Sequence, residues 1–417
     1  MKLNKRVIAL LRSALRICKN RRGPDLRCLL IEPARITAIS PTDHMTLQLE
    51  EPLATEWQSG PVAVPAKMFE AALAVSKTEL RVEFLSQGAI LTLNGVTADA
   101  QKGNQLLQDH AAAFAEPPQA GQPEIFGIDL DPAFYEQVLR VCTARATADI
   151  RTYFTGLQID VGRRRLVASD GHRLHCADNA LPPMETLALG PIPEQARNDF
   201  ICGPGALAEL LVLRPTRMVI REGLAKPGKH AAPIPPLMVF QGAVDGVRWT
   251  LRSSCVAGVF PDPDRVVNAL PLPQRQEMVL KQRAHRPGKL TGGFPVSVLM
   301  PNYADELDQY IKAMMKVKGT AGEIPILVLD LRKGVLRSVD QAPVALSLPV
   351  TTKDVTPEIE EILATSGEDL CGVRAPYLRD AMRSLGETKE WTVSNLDTWQ
   401  CLDETGFKAV VMPSRLR

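Results

Sequence analysis

Asp170, Gly171, His172, Arg173 and His175 fall within the stretch LVASDGHRLHCADNAL, Leu166 to Leu181, among apolar residues. A carboxylate, two imidazoles and a guanidinium this close together allow three readings. They are acid–base or nucleophilic chemistry with Ser169 as nucleophile, a metal site, or a shaped turn against which something else docks. Spacing argues against metal: His172 and His175 are three residues apart, which does not put them on one face of a strand. No neighbouring Cys or His cluster supplies further ligands. Nothing beside Ser169 marks an oxyanion hole, so a nucleophile–base pair lacks its third partner. The turn has positive support. Asp-Gly is a hairpin signal, glycine supplying the positive φ and aspartate bonding its own backbone. Leu166 and Ala168 before it, and Leu174 and Cys176 after it, alternate as strands, which leaves His172 and Arg173 at the lip of a sheet.

The elements that must position this turn repeat along the chain. Apolar residues at helical spacing predict helices over Lys5–Lys19, Pro132–Arg145 and Tyr303–Lys318, with Val7, Leu11, Ala14, Leu15 and Cys18 forming the stripe of the first. A second helix entered from a short strand recurs in VPAKMFEAALAVSK, CGPGALAELLVLR and VRAPYLRDAMRSLG, each with Pro or Gly near its start. Between the helices the period switches to two. ELRVEFLSQGAILTLNG and FTGLQIDVGRRRLVASDG read as hairpins, with turns at Ser86–Gly88 and Gly162–Arg164. Ala111–Glu124 and Asn268–Pro295, rich in Pro with Ala and Gly or with basic residues, read as linkers, and Ala225–Pro236 as a surface insertion. The pattern gives three similar α+β units of two helices on hairpin-built antiparallel sheet, over residues 1–122, 123–270 and 271–417.

Composition bounds the function. The chain of 417 residues is 45% hydrophobic and 23% charged, which fits two or three globular domains. Its net charge of +2 means that nucleic-acid contact must come from local clustering. Such clustering recurs on equivalent helices: Lys5, Arg12, Arg16 and Lys19; Arg140 and Arg145; Lys312, Lys316 and Lys318; Arg379 and Arg383. Arg12 and Arg16 interrupt the N-terminal apolar run, which argues against a signal peptide, and no run is long enough to span a bilayer. Eight scattered cysteines without a Cys-x-x-Cys pair read as reduced thiols of a cytoplasmic protein.

The residues also carry a resemblance. VASDGHRL resembles the Thr-Asp-Gly-His-Arg-Leu signature of the bacterial DNA polymerase III beta subunit, the sliding clamp. VPAKMFE, IRTYFTGLQID, GVFPDPDRVV and the ending AVVMPSRLR resemble further segments of that family, in the family's order across nearly the whole chain. The resemblance implies three clamp-type domains forming half of a ring, closed by a head-to-tail homodimer around duplex DNA. It implies no catalysis, no cofactor and no metal. The implied partners are the DNA polymerase III catalytic subunit, the clamp loader and other proteins with a clamp-binding motif.

Carried over position by position, the family's hydrophobic peptide cleft falls on Phe154, Ser169, Gly171, His172, Arg173 and Leu174. Pro261, Arg265 and Val266 follow from FPDPDRVV, and Val410, Met412, Pro413, Ser414, Arg415 and Leu416 from the tail, with Thr398 beside them. Arg12, Arg16, Arg21, Arg22 and Tyr153 are the implied DNA contacts. The chain departs from the pattern at Phe154, which is bulkier than the usual aliphatic residue, at Ser414 in place of Met, and at Pro263 and Asp264. At the implied seam, Val96–Gln101 is small and polar and Lys316–Lys318 is charged where the family has apolar anchors. Two alternatives stay open: a clamp-like adaptor that binds such peptides without closing a ring, and an enzyme using Asp170 and His172.

Overall fold

The computed structural model describes residues 1–19, 27–54, 57, 60–76, 78–85, 90–109, 111–182, 199–224, 233–267, 271–285, 293–317, 324–340, 342–353, 355–366, 370–394 and 398–414. The chain divides into two compact units, Met1–Tyr135 with Pro182–Ala257 and Glu136–Leu181 with Gly258–Arg417. The architecture is the expected α+β one, helices on antiparallel sheets built from hairpins.

In the first unit an eight-stranded sheet runs in the order Val62–Pro65, Cys28–Glu32, Arg35–Ile39, Asp43–Leu49, Val247–Ser254, Leu237–Val244, Arg217–Arg221, Glu124–Asp129. Strands from the first two sequence segments therefore form one sheet, joined where Asp43–Leu49 pairs with Val247–Ser254. Asp43 is buried at this junction. Its carboxylate accepts from Ser253 Oγ at 2.6 Å, Thr42 Oγ1 at 2.8 Å and Ser40 Oγ at 3.2 Å, which satisfies a buried charge. The helix Lys5–Lys19 forms over the expected residues and buries Val7, Leu10, Leu11, Ala14, Leu15 and Cys18. Asn4 Oδ1 caps it by accepting from Val7 N at 3.0 Å. The helix Ala100–Asp109 covers the edge strand Val62–Pro65. Gly103 permits this approach, since a Cβ there would lie 2.6 Å from the Ala63 carbonyl oxygen. A separate sheet of Val82–Leu85, Ile90–Leu93 and Val96–Asp99 leaves Val96–Asp99 at an edge.

In the second unit one sheet runs through Leu157–Asp160, Arg165–Ser169, Arg173–Ala177, Phe407–Val411, Trp399–Leu402, Lys389–Val393, Val296–Met300 and Thr351–Lys353. It too crosses sequence segments, where Arg173–Ala177 pairs with Phe407–Val411. A smaller sheet has the order Ser347–Pro349, Val335–Ser338, Ile326–Asp330, Leu370–Arg374. The helices Ala304–Lys316 and Ala375–Leu385 pack together, and the latter ends on Gly386 at φ 82°, a left-handed cap.

The stretch Asn268–Pro295, read as a linker, holds a helix over Leu272–His285. Pro271 precedes it and Pro273 falls in its first turn, where a missing N–H costs nothing, and twelve residues without Gly or Pro follow. The stretch Ala111–Glu124 likewise contains a helical turn, Pro118–Gly121, anchored by buried Gln119, whose Nε2 donates to the Pro235 carbonyl at 3.1 Å. The turn at Ser86–Gly88 and most of the insertion Ala225–Pro236 lie outside the described residues.

Candidate functional site

The Asp-Gly stretch is a hairpin turn whose polar groups are spent on itself. Strands Arg165–Ser169 and Arg173–Ala177 pair with Ser169 opposite Leu174. Gly171 sits at φ +85°, where L residues are strained. Asp170 Oδ1 accepts from the amides of His172 at 2.9 Å and Arg173 at 3.0 Å, and Oδ2 from Arg173 Nε at 3.1 Å. Ser169 Oγ donates to the Arg173 carbonyl at 2.7 Å and accepts from Gly171 N at 3.0 Å. Ser169 is thus engaged with backbone, not with an imidazole. His172 is exposed and stacks on Tyr377 at 6.0 Å, whereas His175 is wholly buried with Nδ1 2.8 Å from Thr143 Oγ1. Burial pushes His175 down to about 4, so it is neutral at pH 7. These groups do not converge on a reacting atom, and among the described residues no group of three or more His, Cys, Asp or Glu is arranged to hold a metal ion.

The same turn forms part of a surface built by sheet register. Ser169 pairs with Leu174, Leu174 with Val410, and Val410 with Gln400, so the four side chains stand in one row on one face across four strands. All four are buried, Leu174 at 4% exposure and Val410 at 1%. At the end of the row the His172 carbonyl accepts from Met412 N at 2.8 Å, and Ser414 N donates to the Gly372 carbonyl at 2.9 Å, which ties the tail down. Met412 is 42% exposed, and Pro413 and Ser414 are half-buried. Gln400 Nε2 donates to Thr398 Oγ1 at 2.6 Å and to the Val266 carbonyl at 3.3 Å, bringing both residues to this row.

Phe154 flanks the turn. Its ring lies 4.6 Å from Tyr153 and 5.7 Å from Phe260 in edge-to-face geometry, and the Arg151 guanidinium covers it at 4.4 Å. A Cβ on Gly171 would lie 3.6 Å from the Phe154 ring and 3.4 Å from Arg151 Nη2. The segment Pro261–Val266 is pinned from below. Asp264 accepts from Arg165 at 2.8 Å and pairs with Arg163 at 3.0 Å, while Pro261 and Arg265 stay exposed and Val266 half-buried. Arg173 reaches from the turn to Asp380 on the helix Ala375–Leu385, and its guanidinium also lies 4.8 Å from the Tyr377 ring. The chain therefore brings together Phe154, Ser169, Gly171, His172, Arg173, Leu174, Val266, Thr398, Val410 and Met412, joined by Arg151, Phe260, Tyr377 and Gln400. Period-two alternation from Thr398 gives the face of Gln400. Only the packing reveals Tyr377, and Arg151 had no signal beyond its place in IRTYFTGLQID. Arg415 and Leu416 lie outside the described residues.

The cations expected to face a polyanion differ in availability. Arg16 is held by Glu209 through Nε at 2.8 Å and Nη2 at 2.7 Å, and Lys19 by Glu70 at 2.7 Å. Arg140 turns to Asp403 and the Ser384 carbonyl, and Arg145 to the Thr155 carbonyl. Lys5 and Arg12 are exposed on the first helix and Lys316 on the helix Ala304–Lys316. Tyr153 is half-buried against Gly258, and Arg21, Arg22 and Lys318 lie outside the described residues.

No protein-family model and no curated protein matches the chain. Solved structures do. A sliding clamp (DNA polymerase III subunit beta) from Bartonella birtlesii, bound to griselimycin, is 16% identical with a TM-score of 0.67, covering 100% of this chain and 99% of that one. A DNA polymerase III beta chain from Streptococcus pneumoniae is 13% identical with a TM-score of 0.66 over 100% and 99%. A DNA polymerase III subunit beta from Pseudomonas aeruginosa is 17% identical with a TM-score of 0.63 over 100% of both chains. End to end, this chain has the fold of the DNA polymerase III beta subunits, the sliding clamps.

Proposed function

We propose that this protein is a sliding clamp: a non-enzymatic processivity factor that encircles duplex DNA in the cytoplasm and tethers a polymerase through a peptide cleft. The observation that carries the reading is the joining of two segments far apart in sequence. The Ser169–Leu174 turn and the Val410–Ser414 tail meet through the Leu174–Val410 pairing and the Met412–His172 hydrogen bond, on a fold shared with sliding clamps. The surface beside that buried row, where Met412 is 42% exposed and Val266, Pro413 and Ser414 are half-buried next to polar backbone, suits an extended peptide. Leu or Phe anchors would fill it, each worth roughly 1.5–3 kcal/mol when fully buried. The peptide would come from the DNA polymerase III catalytic subunit, the clamp loader or another protein bearing the same motif. His172 orders the turn in this reading and moves no proton.

Three domains, at residues 1–122, 123–270 and 271–417, fit the two compact units if the middle domain shares its strands between the two continuous sheets. The seam of a head-to-tail homodimer would use two edge strands, Val96–Asp99 in the first unit and Ser347–Pro349 in the second. The exposed apolar residues Val75 and Met315, at 66% and 70%, would join them. The test titrates a labelled Leu/Phe-containing clamp-binding peptide against the protein and a variant lacking Met412–Arg417, with molar mass measured across concentration. Loss of binding in the variant and a dimer mass support the proposal. Unchanged affinity overturns the cleft, and a monomer at every concentration leaves the adaptor reading.

A further inference from the structure

A chain of alternating charges runs through the second unit from the turn to the exposed face of two helices. Asp170 pairs with Arg173 at 3.1 Å, and Arg173 reaches on to Asp380. The other oxygen of Asp380 accepts from Arg379 Nε at 2.8 Å, and Arg379 Nη1 donates to Asp308 at 3.1 Å. Asp308 also holds Lys312 at 2.5 Å and Arg383 at 3.4 Å. The five inner members are 11–20% exposed, whereas Lys312 is 69% and Arg383 45% exposed. Little solvent screens the inner links, and the open end presents cations to any polyanion.

We propose that this relay couples the peptide cleft to DNA bound on the helices Ala304–Lys316 and Ala375–Leu385, an inference that rests on the clamp reading. Asp308 and Asp380 act as positioning residues. The sign follows from the alternation. Phosphates that recruit Lys312 and Arg383 leave Asp308 to Arg379 alone. Arg379 then shifts its hold from Asp380 to Asp308, and Asp380 gives its full charge to Arg173. The turn is fixed more firmly, and a peptide meets a lower ordering cost. DNA therefore tightens peptide binding and, by reciprocity, peptide tightens DNA binding by the same factor.

The test uses the full-length protein, a fluorescent Leu/Phe-containing clamp-binding peptide and a short DNA duplex. Peptide affinity is measured with and without duplex, and duplex affinity with and without peptide, alongside melting temperature. The expected coupling is about fivefold in both directions, the lower end of ordinary allosteric factors. Asp308→Asn cuts the relay and removes the coupling. Lys312→Gln, at an exposed site that leaves the packing alone, reduces it. Peptide binding that is normal but indifferent to duplex overturns the relay alone, as does coupling that survives undiminished in both variants. Absence of any peptide binding overturns the cleft reading and the relay with it.

Discussion

Met412 offers the cleanest separation of binding from folding. Its side chain is 42% exposed, while its amide donates to the His172 carbonyl. Met412→Ala keeps that hydrogen bond and removes only side chain. Fully burying a methionine is worth roughly 1.5–3 kcal/mol. A peptide that covers the remaining two-fifths therefore gains about 1 kcal/mol from it, or about a fivefold change in Kd. By the same scale, losing the three-fifths already buried in the free protein costs folding about 1 kcal/mol, a small part of the stability of a chain this size. Leu174→Ala is the contrast. Leu174 is 4% exposed in the free protein, so its truncation costs roughly 2–5 kcal/mol of fold stability, and Leu174→Asp costs more by burying a charge. The assay is fluorescence polarisation with the labelled peptide, paired with thermal melting. A fivefold weaker Kd with only a small fall in melting temperature is expected for Met412→Ala. An unchanged Kd, or a loss that tracks the melting temperature, refutes the placement of Met412 in the cleft.

Gly171→Ala forces an L residue to φ +85° against Arg151 and Phe154, costing roughly 1–2 kcal/mol; it should lower peptide affinity and melting temperature together. Burial holds His44 and His175 at about 4 against 6.5 unfolded, so the unfolded chain binds the extra protons. Stability contributed by each, on the order of 3 kcal/mol, is present above pH 6.5 and lost as pH falls towards 4. Denaturant midpoints across that window should fall steeply in the parent and less steeply in His175→Gln. Arg12→Ala should reduce the salt dependence of duplex binding by about one phosphate contact. Arg16→Ala should instead show in the melting temperature, because it strands Glu209, whose side chain is 5% exposed.

Local physics made much of the fold legible. The stripe Val7, Leu11, Ala14, Leu15, Cys18 and the pair Asp170-Gly171 depend on neighbours within a few residues, and both formed as read. What stayed hidden depends on pairing between distant strands. Alternation from Thr398 gives the face of Gln400, but its place beside Val410 comes from the pairing of Trp399–Leu402 with Phe407–Val411, and Tyr377 joins only because Arg173 reaches Asp380. The helix Leu272–His285 was masked by flanking prolines that sit where a helix tolerates them. Counting basic residues overstated the free charge. The carboxylates that hold Arg16 and Arg140 come from other elements, as does Asp308, which shares Arg379 with its helix neighbour Asp380, and no spacing rule reveals those distant partners.

The most direct measurement is retention on DNA of defined topology. Protein loaded on closed circular duplex is followed through a gel-filtration column before and after the circle is cut once by a restriction enzyme. A sliding clamp co-elutes with the closed circle and is lost when it is cut, because topology and not contact holds it. Equal retention on circular and linear DNA, or none on either, contradicts encirclement.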